Sequence, residues 1–177
     1  TDLVEHLFLK SGVDLYLEEG AVLRQNPNRE ALAIVKGYQK SYDYTDAVIN
    51  ASWEGNPLDC FCSLIYGKDV QQVRIYGDGT LNGSGMEGGW WNEPKKKNRA
   101  YRPRNVSLVN CSDITVCGLT SQNSAAWNIH PLYSSNLAFY GLTIQSNPDS
   151  PNTDGLNPES CENVQIVGCR FQVCLLY

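Results

Sequence analysis

The sequence predicts an all-β chain wound as a right-handed parallel β-helix, and three observations predict it. The chain repeats itself: Trp127-Asn128-Ile129-His130-Pro131 aligns with Asp154-Gly155-Leu156-Asn157-Pro158 at an offset of 27, and the same offset carries Leu137-Ala138-Phe139-Tyr140-Gly141 onto Val164-Gln165-Ile166-Val167-Gly168. Two matches at one offset mark consecutive turns of a solenoid. A short apolar alternation closed by glycine also recurs earlier, in Val73-Arg74-Ile75-Tyr76-Gly77 and Ile114-Thr115-Val116-Cys117-Gly118. Finally, no long segment of helical period separates the units, which argues against leucine-rich or helical repeats. Parallel strands stacked ~4.8 Å apart fit these units best, and each turn then buries its inward side chains against its neighbours.

The elements follow in chain order. Residues 13–17 alternate and predict a strand, Glu18-Glu19-Gly20 turns it, and Ala21-Val22-Leu23 begins the next. Residues 25–56 lack firm periodicity and read as a long loop or edge excursion. The glycines at 77, 118, 141 and 168 are 41, 23 and 27 residues apart. The last two intervals fit one turn each. The first fits one turn plus an insertion, placed at about 83–103, within a single domain. Strands at 73–76, 114–117, 137–140 and 164–167 are expected on one sheet, with Asp113, Asn136 and Asn163 directly before the last three.

Composition agrees with this class. The chain has 177 residues, 42% of them apolar, with 15 Gly and 8 Pro to serve many turns; charged residues make up 19% and the net charge is −5. That balance excludes a nucleic-acid partner by bulk charge and a disordered chain. No run approaches the ~18 apolar residues of a membrane span, so no membrane partner is expected. The opening Thr1-Asp2-Leu3-Val4-Glu5 has neither a basic start nor an apolar core of a signal peptide. It does not read as a natural start, and truncation at both ends is expected. Of the seven cysteines, Cys60 and Cys62 form a CxC pair. Cys111 and Cys161 hold one place in turns two apart, ~9–10 Å from each other at the strand spacing, beyond disulfide reach. They read as small buried hydrophobes. A zinc site, the alternative, lacks paired CxxC spacing, and no metal or other cofactor is expected.

Asp154 lies in the turn Ser150-Pro151-Asn152-Thr153-Asp154-Gly155, where an aspartate often caps its own backbone. Its place in the repeat points further. The order Gly77-Asp78-Gly79-Thr80-Leu81-Asn82-Gly83-Ser84-Gly85, Trp90-Trp91, Arg102-Pro103-Arg104, Asn123-Ser124, Trp127, His130-Pro131 and Asn152-Thr153-Asp154-Gly155 resembles glycoside hydrolase family 28, the polygalacturonases and related pectin hydrolases. The resemblance runs from about residue 15 to 171, and the wording Pro158-Glu159-Ser160-Cys161-Glu162-Asn163 is nearer the bacterial members.

The resemblance implies an inverting hydrolysis of α-1,4-galacturonosyl linkages, in which carboxyl groups ~6.5–9.5 Å apart protonate the leaving oxygen and activate water. It makes Asp154 a water-activating carboxylate and Asn152 a residue that orients it or meets sugar. His130, stacked on Asn157 of the next turn, is expected to contact sugar, and Gly155 to supply the kink that turns Asp154 outward and Leu156 inward. Residues 95–104 hold Lys95, Lys96, Lys97, Arg99, Arg102 and Arg104 with no acid among them. Lys97 and Arg102 are the candidates there for binding an anionic polymer such as polygalacturonate. Replacing Lys95, Lys96 and Lys97 together by Ala is expected to weaken that binding. Trp90 and Trp91 are expected to anchor this loop by packing rather than to stack on sugar.

The chain departs from the family where Gly-Asp-Asp, which contains the general acid, is expected: it reads Cys169-Arg170-Phe171-Gln172-Val173. The later Gly-His-Gly and Arg-x-Lys motifs are also absent. As written the chain is expected to hydrolyse pectic polymers very poorly. Two rivals share the fold: a non-catalytic binding or adhesion module, and a calcium-dependent pectate lyase. The substrate class favours a secreted or periplasmic protein, and a monomer is expected.

Overall fold

The computed structural model describes residues 1–40, 47–94 and 96–173. The chain coils as a right-handed parallel β-helix whose turns lay strands on three sheets. One sheet stacks Leu15–Leu17, Gln71–Gly77, Ser112–Cys117, Ser135–Tyr140 and Glu162–Val167 in that spatial order. The four predicted core strands therefore share a sheet, paired in parallel. The offset of 27 is the register itself: Leu137 faces Val164 and Phe139 faces Ile166. A second sheet stacks Leu7–Phe8, Ile65–Lys68, Val106–Val109 and Ile129–Leu132, extended by single bridges from Ile129 to Leu156 and Leu132 to Glu159. The third holds Asp2–Val4, Val22–Gln25, Thr80–Asn82, Thr120–Gln122, Thr143–Gln145 and Arg170–Gln172.

Columns of apolar side chains fill the coil, among them Val73, Ile114 and Leu137, and Ile75, Val116 and Phe139, all buried. Each such burial stabilises by about 1.5–3 kcal/mol. The columns continue into Val164 and Ile166 of the last turn, half-buried and exposed respectively. The Asp and Asn before the predicted strands have a backbone role. Gln72, Asp113, Asn136 and Asn163 all lie at positive φ, 57°, 56°, 53° and 54°. Asp and Asn tolerate that conformation because their short side chains find local partners. Pairing accordingly skips these positions, from Gln71–Ser112 to Val73–Ile114. Their side chains form a ladder along the coil, Asn163 donating to Asn136 at 2.7 Å and Asn136 to Asp113 at 3.1 Å. Gly77 ends its strand at φ 121°, where a Cβ would lie 2.1 Å from the Leu17 carbonyl oxygen.

The stretch 25–56, of which residues 41–46 lie outside the described ones, is an excursion with structure of its own at 25–40 and 47–56. Arg29–Ala31 is a 3₁₀ turn whose Asn28 side chain accepts from the Glu30 amide. Ile34–Val35 pairs antiparallel with Cys60–Phe61, and Tyr38–Lys40 with Ala47–Ile49. Strands of two or three residues are too short to show a period. The connection between Thr80–Asn82 and Val106–Val109 leaves the coil and buries Trp90 against Leu32, Phe61, Ala100 and Ala125; Trp90 thus packs, as expected. The six described cysteines are free. Cys111 and Cys161 repeat one turn, each Sγ–H donating to a carbonyl two residues back, with Ser134 in the same place between them.

Candidate active site

The segment Ser150-Pro151-Asn152-Thr153-Asp154 is shaped by its own side chains. The Thr153 hydroxyl donates to the Ser150 carbonyl at 2.9 Å and is fully buried. Asn152 sits at φ 57° and turns the chain just before Asp154, while Gly155 shows no positive φ. Gly155 serves a close approach: a Cβ would come within 2.3 Å of the Phe171 ring. The chain then joins the sheet edge beside Ile129–Leu132. The amides of Asn128 and Ile129 donate to the carbonyls of Asp154 and Gly155 at 2.8 and 3.1 Å, and the Asn157 amide donates back to Ile129 at 2.9 Å. Leu156 packs on the core while Asp154 stays half-buried above it. The Asn157 side-chain Nδ2 donates to Asp154 Oδ2 at 3.1 Å; Oδ1 has no partner among the described residues.

A buried polar seam supports this segment from within. Asn128 Nδ2 donates to the Thr153 and Asp154 carbonyls at 3.2 and 3.3 Å and to Ser146 Oγ at 3.1 Å, while its Oδ1 accepts from Ser121 Oγ at 3.0 Å. Asn105, one turn earlier, donates to Ser121 Oγ and to the Gln122 carbonyl, both at 2.9 Å. Neutral amides suit this place, because buried polar groups persist only when bonded. A repeated signal for it stood in the sequence: Asn105-Val106 and Asn128-Ile129 both put Asn directly before a strand of the second sheet.

Arg102 is 5% exposed and ties three turns together. Its Nη1 donates to the carbonyls of Ala125 and Pro151 at 2.7 and 3.0 Å, and its Nη2 to Asn152 Oδ1 at 2.8 Å. Burial, and then the neighbouring Arg104 charge, lower its pKa to about 10. The two arginines lie against an aromatic stack. Trp53 stacks between Tyr101 and Trp127, at 4.9 and 6.1 Å between ring centroids. The Arg102 guanidinium is 5.1 Å from Trp53 and from Trp91, and that of Arg104 is 5.2 Å from Trp53 and Trp127. Trp53 joins this cluster from across the chain, and nothing in its local sequence marked it.

The structure places His130 away from the surface that a sugar contact needs. It is 2% exposed, edge-on to Trp127 at 4.9 Å, with Nε2 3.1 Å from a Glu159 oxygen. The other Glu159 oxygen accepts from Ser52 at 2.8 Å. Burial, then the Arg104 charge, lower the imidazole pKa to about 3, so the ring is neutral and its Nε2–H donates to the carboxylate. The unfolded chain takes up this proton near pH 6.5. Stability from this group is therefore complete above about pH 6.5 and falls towards pH 3, by about 1 kcal/mol per unit. Thermal melts across pH 3–7 should show that slope, and His130→Gln should flatten it; an unchanged slope would place the acid sensitivity elsewhere.

The basic stretch divides. Lys96 pairs with Glu93 at 2.6 Å and Arg99 with Glu30 at 2.5 Å, while Arg102 and Arg104 are buried. Lys97 is exposed, with no hydrogen-bonding or ion-pair partner among the described residues, and Lys95 lies outside them. Among the described residues no three His, Cys, Asp or Glu side chains converge as around a metal ion.

The family model described as "Glycosyl hydrolases family 28" matches residues 46–173. A Vitis vinifera protein named "Probable polygalacturonase" is 43% identical over 111 residues, covering 62% of this chain and 22% of its own length. The Pectobacterium parmentieri "Endo-polygalacturonase" is 26% identical over 172 residues, covering 90% of this chain and 39% of the relative. Among solved structures, a hyperthermoactive exopolygalacturonase from Thermotoga maritima superposes with a TM-score of 0.74 at 25% identity, over 96% of this chain and 42% of that one. The chain thus spans between about a fifth and two-fifths of the length of these relatives.

Proposed function

Because the chain belongs to glycosyl hydrolases family 28, we propose that the protein hydrolyses α-1,4-galacturonosyl linkages of a pectic polysaccharide with inversion, and that Asp154 activates the attacking water. One observation carries this reading: a half-buried carboxylate is fixed by backbone bonds at its own and the next residue, with one oxygen held by Asn157 and the other without a partner among the described residues. Such a group can take a proton from a water on one face of the sugar while a carboxylic acid ~6.5–9.5 Å away protonates the leaving oxygen on the other. Fixing the carboxylate on a rigid sheet edge keeps that separation.

The other candidates take roles around Asp154. Asn152 gives its carbonyl oxygen to Arg102, which leaves its amide N–H groups for a sugar hydroxyl. Arg102 acts through Asn152 as a positioning residue, whereas His130 pairs with Glu159 inside the fold. Lys97 supplies exposed charge that attracts the polymer. Lys97→Ala should raise the dissociation constant for oligogalacturonate by a few-fold at low salt, and the difference should vanish as added salt shortens the screening length to about 3 Å near 1 M. Equal affinities at low salt would remove Lys97 from the binding surface.

The test of the reaction is the product. Polygalacturonate digests by a protein that joins this chain to the expected Gly-Asp-Asp segment should contain new reducing ends that are inverted at the anomeric carbon when first formed, as followed by proton NMR. Unsaturated, ultraviolet-absorbing ends would show a lyase, and binding without any cleavage by a protein that contains the acid would show a binding module.

A further inference from the structure

Outside the Asp154 segment, the connection after Thr80–Asn82 folds over the Arg29–Ala31 turn and encloses a cavity of about 380 Å³. Its polar groups come from Arg29, Asn92, Glu93, Lys96, Asn98 and Arg102. This volume lies within the range of small-molecule sites, about 300–1,000 Å³. The charge is unbalanced: three cations face one carboxylate, and Glu93 is already paired with Lys96. Neither Arg29 nor Arg102 has a carboxylate partner among the described residues.

Arg29 is held ready for one. Its guanidinium lies 4.1 Å over the Trp90 ring, and its Nη2 donates to the Gly88 and Gly89 carbonyls at 3.3 and 3.1 Å. Its Nε and Nη1 make no hydrogen bond among the described residues. A guanidinium with a fixed plane and free donors matches a carboxylate better than a mobile ammonium does. Arg102, 95% buried, carries a second charge to the wall, and its Nε is unpartnered. A buried cation without a direct carboxylate partner is costly; Glu54 acts on Arg102 without pairing with it, and an anion in this cavity would relieve that cost. Asn92 and Asn98 add amides that can bond hydroxyl groups.

We infer that this cavity binds a uronate residue through its carboxylate, with Arg29 as the anchor. The choice of a sugar acid over other carboxylates rests on the pectic reading above. Arg102 lines the cavity and also holds Asn152, so the site adjoins the Asp154 segment. It can be filled by a residue of the polymer remote from the cleaved bond or by free galacturonate.

The test titrates the full chain with galacturonate, galactose, acetate and trigalacturonate, by calorimetry and by fluorescence of Trp90 beside the cavity. Galacturonate should bind, with galactose and acetate at least about tenfold weaker; Arg29→Gln should weaken galacturonate by about tenfold or more, since a hydrogen bond to a charged group is lost. Arg29→Lys keeps the charge without the fork and should lose less, which serves if Arg29→Gln folds poorly. An equal loss for trigalacturonate identifies the polymer as the source; a loss for galacturonate alone identifies the free sugar. Acetate binding as well as galacturonate, or both variants binding galacturonate like the parent chain, overturns the inference. If trigalacturonate binds but ignores Arg29 and galacturonate does not bind, the cavity falls and the pectic reading stands. If no galacturonide binds, both fall.

Discussion

Asp154→Asn is expected to lower polygalacturonate turnover by about 10²–10⁴-fold, the scale of one general acid–base group, in a protein that joins this segment to the expected Gly-Asp-Asp pair. The amide keeps the volume and the backbone contacts but cannot take the proton from water. Asn157 donates to Oδ2, so the variant must either turn its own NH₂ away from Asn157 or lose that bond; the fold around it is otherwise undisturbed. Initial rates of reducing-end release, with the thermal midpoint recorded alongside, check this. A variant retaining a tenth or more of the parent rate would show that another group activates the water. The 177-residue chain, with Gln172-Val173 where the pair is expected, is the control and should give near-background release.

Asn128→Leu should damage the fold as much as Asp154→Asn damages the chemistry. The two side chains are similar in size, so the loss is not one of volume. Asn128 is fully buried, and its amide satisfies the Thr153 and Asp154 carbonyls and the Ser121 and Ser146 hydroxyls. Each lost hydrogen bond costs about 0.5–1.5 kcal/mol, although the Asp154 carbonyl keeps the Asn128 backbone amide, the Thr153 carbonyl keeps the Ser146 hydroxyl and Ser121 Oγ keeps the Asn105 amide. A total of about 3 kcal/mol lowers the melting temperature by about 6–12 °C in a chain of this size. Differential scanning calorimetry measures it directly. A midpoint within about 2 °C of the parent, less than 1 kcal/mol on that scale, would show that the seam is not a support.

The coil was legible because period-2 alternation and a fixed offset are local properties of the text. Val164 faces Leu137, and Leu156 bridges to Ile129, as the offset of 27 requires. Asp154 was legible through its place in that offset. The neighbours of the site were not. A run of six basic residues does not tell inward from outward: Arg102 and Arg104 are buried in the aromatic stack, whereas Lys97 is exposed. His130 looked available because the offset of 27 stacks it on Asn157 of the next turn, yet Glu159, twenty-nine residues on, and Arg104 on the previous turn make its pocket. Ser52 meets Glu159 across 107 residues of sequence, a pairing that no local pattern encodes.

The asparagine seam also explains how the coil counts its own turns. Ile75, Val116, Phe139 and Ile166 follow one another in a column, and greasy side chains of that kind can exchange places with modest loss. Packing alone would let the wound chain slip by a whole rung during folding, carrying Asp154 to a level where nothing meets it. The amides forbid the slip. Asn105 donates to Ser121 and the Gln122 carbonyl, whereas Asn128 holds Ser146 and the Thr153 and Asp154 carbonyls, and one rung out of place sets each amide against the other's partners. The seam acts as an index mark on an otherwise featureless thread, fixing the height at which the carboxylate stands.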